Sequence, residues 1–192
     1  NLASSDDHKV YVEIGTWNGQ GSTLCFRQGL ETKNDDWVFF SFESDKHFYD
    51  QAVAYHGAVD GRFNLVYGRI IEPEEMMPLG SPIVQKEHTG SHYNLYPRFF
   101  NHDYRAYAEC ENKLGLLEDL NIDVLLLDGG EFSTYAEFNL LKHRTKIIIL
   151  DDTNELKTKH IHSELLEDDN WECVLESDNR NGYSIHKKKK LR

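Results

Sequence analysis

The stretch Val10–Thr23 constrains the fold of this chain more than any other. It opens with apolar and β-branched residues, which suit a buried parallel strand. Ser22 and Thr23 then offer an N-cap for a helix. Three glycines stand between strand and helix: Gly15, Gly19 and Gly21. Because glycine lets the backbone approach a ligand closely and a helix N-terminus offers free N–H donors, the stretch predicts a site for a nucleotide-like ligand.

The spacing of these glycines narrows the choice of ligand. A dinucleotide fingerprint needs G-x-G-x-x-G, and Trp17 and Gln20 break that frame. The chain instead reads E-x-G-x-x-x-G-x-G from Glu13, which resembles motif I of class I S-adenosylmethionine (SAM)-dependent methyltransferases. The resemblance implies cofactor contacts from this stretch: Glu13, Gly15, Thr16, Trp17, Gly19, Gly21 and Ser22. An ordinary strand-to-helix turn is the alternative.

An acidic residue follows the second predicted strand, residues 37–42. Glu43 stands about twenty residues past the glycine turn, a position that suits a pair of ribose hydroxyls. Ser44 and Asp45 then open a helix through about Gly57. The resemblance implies that Glu43 holds the SAM ribose, with Ser44 and Gly68 also on the cofactor. The alternative for Glu43 is a solvent-facing carboxylate that caps the following helix.

Composition limits the classes of partner and the compartment. A chain of 192 residues with 39% apolar residues predicts one globular domain, 1–192. The net charge of -12 argues against nucleic acid or an anionic membrane as partner, and no apolar run is long enough to span a bilayer. Three widely spaced cysteines and the absence of a signal peptide favour the cytoplasm. Only nine residues precede the first strand, so we allow for a preceding segment.

The remaining patterns predict alternating strands and helices. Further strands are expected at 62–67, 122–128 and 146–150, and a hairpin at 171–176 and 183–186. Further helices are expected at 104–120, from about 134 to 143 and at 155–167, before a solvated basic tail, 187–192. This order predicts an α/β Rossmann-like three-layer sandwich: a mostly parallel seven-stranded sheet with a C-terminal antiparallel hairpin. The resemblance to class I methyltransferases thus covers nearly the whole chain.

The segment 72–103 breaks this regular alternation. Prolines and glycines interrupt it, and histidines and aromatic residues crowd it, including His88, His92, Tyr93 and Tyr96. A long irregular segment in a compact domain is usually functional or disordered, so we expect an insertion that lines the acceptor pocket. An aromatic loop that merely packs is the alternative. No histidine pair in it has a convincing metal-ligand spacing.

Three carboxylates follow two strongly apolar predicted strands. Asp128 ends one, and Asp151 and Asp152 end the next, so neighbouring strands would bring the three together beside the cofactor. Oxygen ligands of this kind favour Mg²⁺ or Mn²⁺. The arrangement resembles the small divalent-metal-dependent O-methyltransferases, the catechol, macrocin and cephalosporin-hydroxylase-like group. Helix capping and turn formation by the same residues are the alternative.

The resemblance also implies catalytic roles at this edge of the sheet. Asp128 would contact both cofactor and metal and take part in catalysis. Some relatives carry His or Lys three residues after the first metal acid, where this chain has Glu131. Glu131 could accept a proton, and it could equally be a surface carboxylate.

The sequence therefore predicts a SAM-dependent O-methyltransferase that acts, with a divalent metal, on a small hydroxylated molecule such as a sugar or natural product. A metal-independent methyltransferase is one alternative. A protein that binds SAM or a nucleotide without catalysis is another. The expected partner is the small-molecule acceptor, not nucleic acid or membrane, and the sequence leaves a homo-oligomer open.

Overall fold

A computed structural model describes residues 8–34, 36–57, 61–87 and 93–189. Within these ranges the strands are β1 (Val10–Ile14), β2 (Val38–Glu43), β3 (Phe63–Tyr67), β4 (Ile122–Leu127), β5 (Thr145–Asp151), β6 (Trp171–Ser177) and β7 (Tyr183–Lys188). The α-helices are α1 (Ser22–Leu30), α2 (Lys46–His56), α3 (Pro82–Lys86), α4 (Tyr96–Glu109), α5 (Thr134–Leu141) and α6 (Leu156–Glu167). None of these helices is long and apolar enough to cross a membrane. The expectations for His88, His92 and the end of the basic tail concern residues outside the described ranges.

The strands form one sheet in the order β3-β2-β1-β4-β5-β7-β6. The pairs among β1 to β5 are parallel, and β7 runs antiparallel to both β5 and β6. The predicted Rossmann-like fold with its C-terminal hairpin is therefore confirmed. Strand order reverses between β1 and β4, and ligands of such sheets bind outside the strand ends at that point.

The core lies on both faces of this sheet. β4 is buried along its whole length, as a central parallel strand requires. Leu125 and Leu127 belong to the larger apolar cluster, which α4, α5 and α6 cover, whereas Val124 and Leu126 belong to the smaller one beneath α1. Alternate side chains of one strand thus fill two separate layers, which gives the three-layer sandwich.

The segment 72–103 is more regular than the sequence predicts. It contains α3, and α4 begins at Tyr96 rather than Tyr104. Pro97 lies in the first turn of α4, where a missing N–H costs nothing, so it starts the helix rather than interrupting it. The helix predicted to continue to residue 120 ends at Glu109, and Leu114–Leu117 forms a separate 3₁₀ turn.

Candidate functional site

A cavity of about 330 Å³ opens at the carboxyl ends of the parallel strands. Six residues of its wall are among those that the sequence singled out: Gly15, Trp17, Glu43, Ser44, Gly68 and Asp128. The wall also includes His102 and Asp103, from the segment 72–103, and residues that sequence reasoning did not place there: Asp45, Phe48, Arg69, Tyr107, Glu137 and Lys157. Residues from β1, β2 and the turn after β4 thus meet α4 and α6 around one space.

The glycine turn is shaped mainly by packing against the protein itself. Gly15 has φ +98°, and a Cβ there would lie 2.2 Å from the backbone oxygen of Asp128. Gly19 has φ +76°, and a Cβ there would lie 2.8 Å from the ring of His56. Gly15 lines the cavity, but the structure does not bring Gly19, Gly21 or Ser22 to its wall.

Glu13 and Thr16 lie behind the cavity wall and are buried. The Glu13 carboxylate accepts hydrogen bonds from the Thr23 hydroxyl (2.6 Å) and the Ser41 hydroxyl (2.5 Å). Thr16 shares a hydrogen bond of 2.5 Å with the same Ser41 hydroxyl. Burial raises the pKa of Glu13 to about 7. These residues tie β1, β2 and the start of α1 together.

The start of α1 differs from the expectation. Gly21, not Ser22 or Thr23, is the N-cap residue, and the helix begins at Ser22. The Thr23 hydroxyl is instead directed to Glu13. A buried carboxylate without donors would be costly, so the hydroxyl serves that acid rather than the helix terminus.

Glu43 stands at the end of β2 with its carboxylate on the cavity. One oxygen accepts a hydrogen bond from the Trp17 backbone N–H (2.7 Å), and the other from the Asp45 N–H (2.8 Å). Burial raises the pKa of Glu43 to about 7. The solvent-facing cap considered for Glu43 is wrong, because the residue is only 9% exposed and the Asp45 side chain caps α2, accepting from the His47 N–H. The Glu43 oxygens keep lone pairs for a ligand.

The ammonium of Lys157 joins two of the three predicted metal ligands. Its Nζ lies 2.5 Å from Asp128 Oδ1 and 2.8 Å from Asp152 Oδ2. Burial by itself would lower the pKa of Lys157, but the two carboxylates raise it well above its ordinary value. Burial raises the pKa of Asp128, against the opposing effect of Lys157. The cluster therefore carries its own cation.

The three carboxylates do not fit a divalent cation. Asp151 lines a different cavity, beside Ser22 and Cys25 of α1, whereas Asp128 and Asp152 face Lys157. No group of three histidine, cysteine or acidic side chains in the described part of the chain could hold a metal. The capping alternative does not apply either, because the N-cap residue of α6 is Glu155.

Glu131 lies next to this cluster but not on the cavity wall. Its Oε2 accepts a hydrogen bond from the Lys157 backbone N–H (3.1 Å), in the first turn of α6. Burial raises the pKa of Glu131 to about 7. A carboxyl with that pKa can both hold and release a proton near neutral pH.

Helix α4 supplies a second buried acidic contact at the cavity. The Tyr107 hydroxyl donates to Glu137, and both side chains are buried. Burial raises the pKa of Glu137 to about 7. Tyr96 of the same helix is buried against the Phe132 ring, with the ring centroids 5.9 Å apart. Tyr96 is therefore a core residue rather than an open substrate wall.

Among the cavity residues that sequence reasoning did not identify, Lys157 could have been recognised from the sequence. It stands in the first turn of a predicted helix, where the helix dipole disfavours a positive charge. A lysine there, directly after a strand that ends in two aspartates, indicates an ion pair. Tyr107 and Glu137 left no such signal, because their pairing depends on the position of α4.

Comparison with known proteins establishes the fold. No protein-family model matches the sequence, and no curated protein sequence matches it. An O-methyltransferase from Bacillus cereus, solved in complex with SAH, superposes with a TM-score of 0.59 at 12% identity, covering 98% of this chain and 77% of that chain. A methyltransferase from Geobacter sulfurreducens superposes with a TM-score of 0.56 at 12% identity, covering 97% and 74%.

The same architecture is found in a protein with another activity. Precorrin 8w decarboxylase from Methanobacterium thermoautotrophicum superposes with a TM-score of 0.51 at 16% identity, covering 95% of this chain and 82% of that chain. The chain therefore has the fold of the class I SAM-dependent methyltransferases, as its sequence predicts. Because one fold supports several reactions, the reaction has to be argued from the site.

Proposed function

We propose that this protein is a SAM-dependent methyltransferase that transfers the methyl group to an oxygen of a small hydroxylated molecule. One observation carries the proposal: the buried Glu43 carboxylate faces a cavity at the end of β2, beside the Gly15 turn. An acid at that position suits the two hydroxyls of a ribose. The cavity volume of about 330 Å³ suits a nucleoside-sized ligand.

The residues of the cofactor end fit SAM. Glu43 would accept hydrogen bonds from the ribose, and the Gly15 turn would lie along the methionine part. Ser44 and Gly68 line the same end of the cavity, and Phe48 offers an apolar ring there. When bound, SAM supplies an electrophilic methyl group, which passes to the acceptor oxygen while SAH leaves.

The acceptor end would lie at Asp128 and Lys157. These two side chains form an ion pair, and both line the cavity. A polar end suits a hydroxyl acceptor, which the site must orient in line with the methyl group. The acceptor proton would pass to Glu131, directly or through one water, since the pKa of that carboxyl is about 7. We leave the divalent cation out of this mechanism, because Lys157 already pairs with two of its predicted ligands.

A metal-assisted reaction remains an alternative only if a cation displaces Lys157. The second candidate function is binding of SAM or a nucleotide without catalysis. One observation favours it: the candidate base Glu131 is not part of the cavity wall. Methyl transfer to a hydroxylated compound separates the two functions.

We further propose a small molecule as the acceptor and the cytoplasm as the location. The net charge of -12 disfavours a polyanionic acceptor such as nucleic acid. Cys25, Cys110 and Cys173 are all free thiols, as expected of a protein in a reducing compartment.

Calorimetric titration with SAM and SAH tests the proposal first, followed by transfer of labelled methyl groups to a panel of hydroxylated compounds. We expect SAM and SAH to bind the wild-type protein. The control variant Glu31→Ala should also bind both, because Glu31 lies on the surface, where it pairs with Arg27. Glu43→Ala should bind both weakly. Failure of the wild-type protein to bind either nucleoside would refute the assignment, and binding without transfer would support the non-catalytic alternative.

A further inference from the structure

Lys157 is held in one position by both its backbone and its side chain. Its backbone N–H donates to Glu131, and the hydroxyl of the next residue, Thr158, donates to the backbone oxygen of Asp151 (2.7 Å). These bonds fix the first turn of α6 over the end of β5. Lys157 is therefore directed into the site, unlike a surface lysine with a free stem.

We propose that the Lys157 ammonium is the resident cation of this site: it takes the place of a divalent metal between Asp128 and Asp152 and presents its remaining N–H to the acceptor oxygen. The identity of that acceptor rests on the proposed function, but the cation replacement does not. The juxtaposition of one ammonium and two carboxylates in the described structure carries the inference.

The geometry makes the ammonium and a divalent cation mutually exclusive. Nζ lies within 2.8 Å of an oxygen of each aspartate, and the Lys157 side chain is only 10% exposed. A divalent cation would need oxygens of the same two carboxylates at about 2.0–2.6 Å. The two cations would also repel each other strongly at such a short separation. Metal binding would require Lys157 to leave a buried position.

The charges of the cluster explain why the ammonium stays. Two carboxylates close together are costly without a positive partner. Lys157 neutralises one of the two charges, forms a charge-assisted hydrogen bond to Asp128 and lies 2.8 Å from Asp152 as an ion pair. The two carboxylates within 2.8 Å of Nζ hold the ammonium in place by their charge.

The third N–H of the ammonium is available to a ligand. A lysine has three donors; Asp128 accepts one of them, and the ammonium also forms an ion pair with Asp152. No residue in the described ranges accepts the third, and Lys157 is part of the cavity wall. A fixed positive donor there would stabilise negative charge on an acceptor oxygen, which is the task that a metal ion performs in other enzymes.

Binding of Mn²⁺, measured by electron paramagnetic resonance, tests the cation replacement without SAM or an acceptor. We expect no Mn²⁺ site in the wild-type protein at about 1 mM Mn²⁺. Lys157→Met removes the ammonium and leaves the carboxylates, so Mn²⁺ should bind at least about tenfold more tightly than to wild type. Lys157→Arg should behave like wild type, because it keeps the charge.

Lys159→Met is the matched control for the removal of a lysine from α6. Its ammonium pairs with Glu87 and is 45% exposed, so its loss should create no Mn²⁺ site. Adding Asp128→Asn to Lys157→Met should remove the new site. A folded Lys157→Met protein that binds Mn²⁺ no better than wild type would overturn the proposal. A Mn²⁺ site in the wild-type protein that Asp152→Asn abolishes would also overturn the proposal. This result can be obtained even if Lys157→Met does not fold.

Discussion

The two ends of the cavity are lined by different kinds of chemical group. At the cofactor end the backbone dominates: the Gly15 turn packs against the end of β4, and the Glu43 carboxylate is held by the N–H groups of Trp17 and Asp45. At the acceptor end charged side chains dominate, with Lys157 between Asp128 and Asp152. The cofactor end therefore depends on backbone geometry, whereas the acceptor end depends on the charges of side chains.

The largest expected effect is on the backbone of the cofactor end. Gly15→Ala places a Cβ 2.2 Å from a backbone oxygen at φ +98°, and neither can move easily. We expect a loss of about 3 kcal/mol or more in the free energy of unfolding, measured by denaturant titration. Gly21→Ala is the control, because a Cβ there meets nothing within 4 Å. Equal stability of the two variants would contradict the packing role of Gly15.

The next largest expected effect is on SAH affinity, which should differ between variants at the cofactor end and at the acceptor end of the cavity. Glu43→Ala removes a carboxylate that would bind two ribose hydroxyls, so SAH affinity should fall about 100-fold. Lys157→Met should change SAH affinity by no more than about threefold, since its partners lie at the acceptor end. Calorimetry measures both. If the lysine variant loses SAH binding as fully as the glutamate variant, the division between the ends does not hold.

Turnover should show the opposite pattern to affinity. Once an acceptor is known, Lys157→Met should lower kcat by about 10- to 100-fold, because a fixed donor to the developing charge is lost. Lys157→Arg should retain part of the rate, and Lys159→Met should retain all of it. Steady-state kinetics at saturating SAM provide the measurement. An unchanged kcat in Lys157→Met would remove the lysine from the mechanism.

Some features of the fold and of the site could be predicted from the sequence, and others could not. The order of strands and helices along the chain and the position of Glu43 could be predicted, because strand patterns and the glycine turn are local signals. The different surroundings of the two neighbouring aspartates, with Asp152 on Lys157 and Asp151 on another cavity, could not be predicted, since they depend on how α1 and α6 pack. The start of α4 differs from the expectation because a proline breaks a helix in its interior but is favourable in its first turn, where Pro97 lies.

The surroundings of Gly19 could not be predicted from the sequence either. The sequence predicts that Gly19 leaves space for a cofactor, but the structure places the ring of His56, from the end of α2, against it. His56 Nε2 lies 2.8 Å from the Gly19 backbone oxygen and so fixes the turn. A contact between segments this far apart in the chain has no signature in either one alone.

The smallest expected effect is a pH dependence of stability shared by both ends. Burial raises the pKa of four glutamates from 4.5 to about 7: Glu13, Glu43, Glu131 and Glu137. The folded state therefore binds more protons than the unfolded chain from about pH 4.5 upward, so stability should fall from there and go on falling between about pH 6.5 and about pH 8 before it levels off. Above about pH 6.5 the buried His186, whose pKa is lowered to about 4, no longer opposes this trend.

Thermal unfolding across that pH range measures the trend. Glu137→Gln should reduce the slope, because one of the four groups no longer titrates. Glu31→Gln, at the surface, should leave it unchanged. A Tm that rises from about pH 6.5 to about pH 8 would contradict the raised pKa values.

A crystal structure with SAH and Mn²⁺, with anomalous scattering recorded for manganese, tests the two-ended site most directly. We predict the SAH ribose on Glu43, the Lys157 ammonium between Asp128 and Asp152, and no manganese peak at those carboxylates. A nucleoside bound elsewhere would contradict the assignment of the cofactor end. A manganese peak between Asp128 and Asp152, with Lys157 turned away, would contradict the built-in cation.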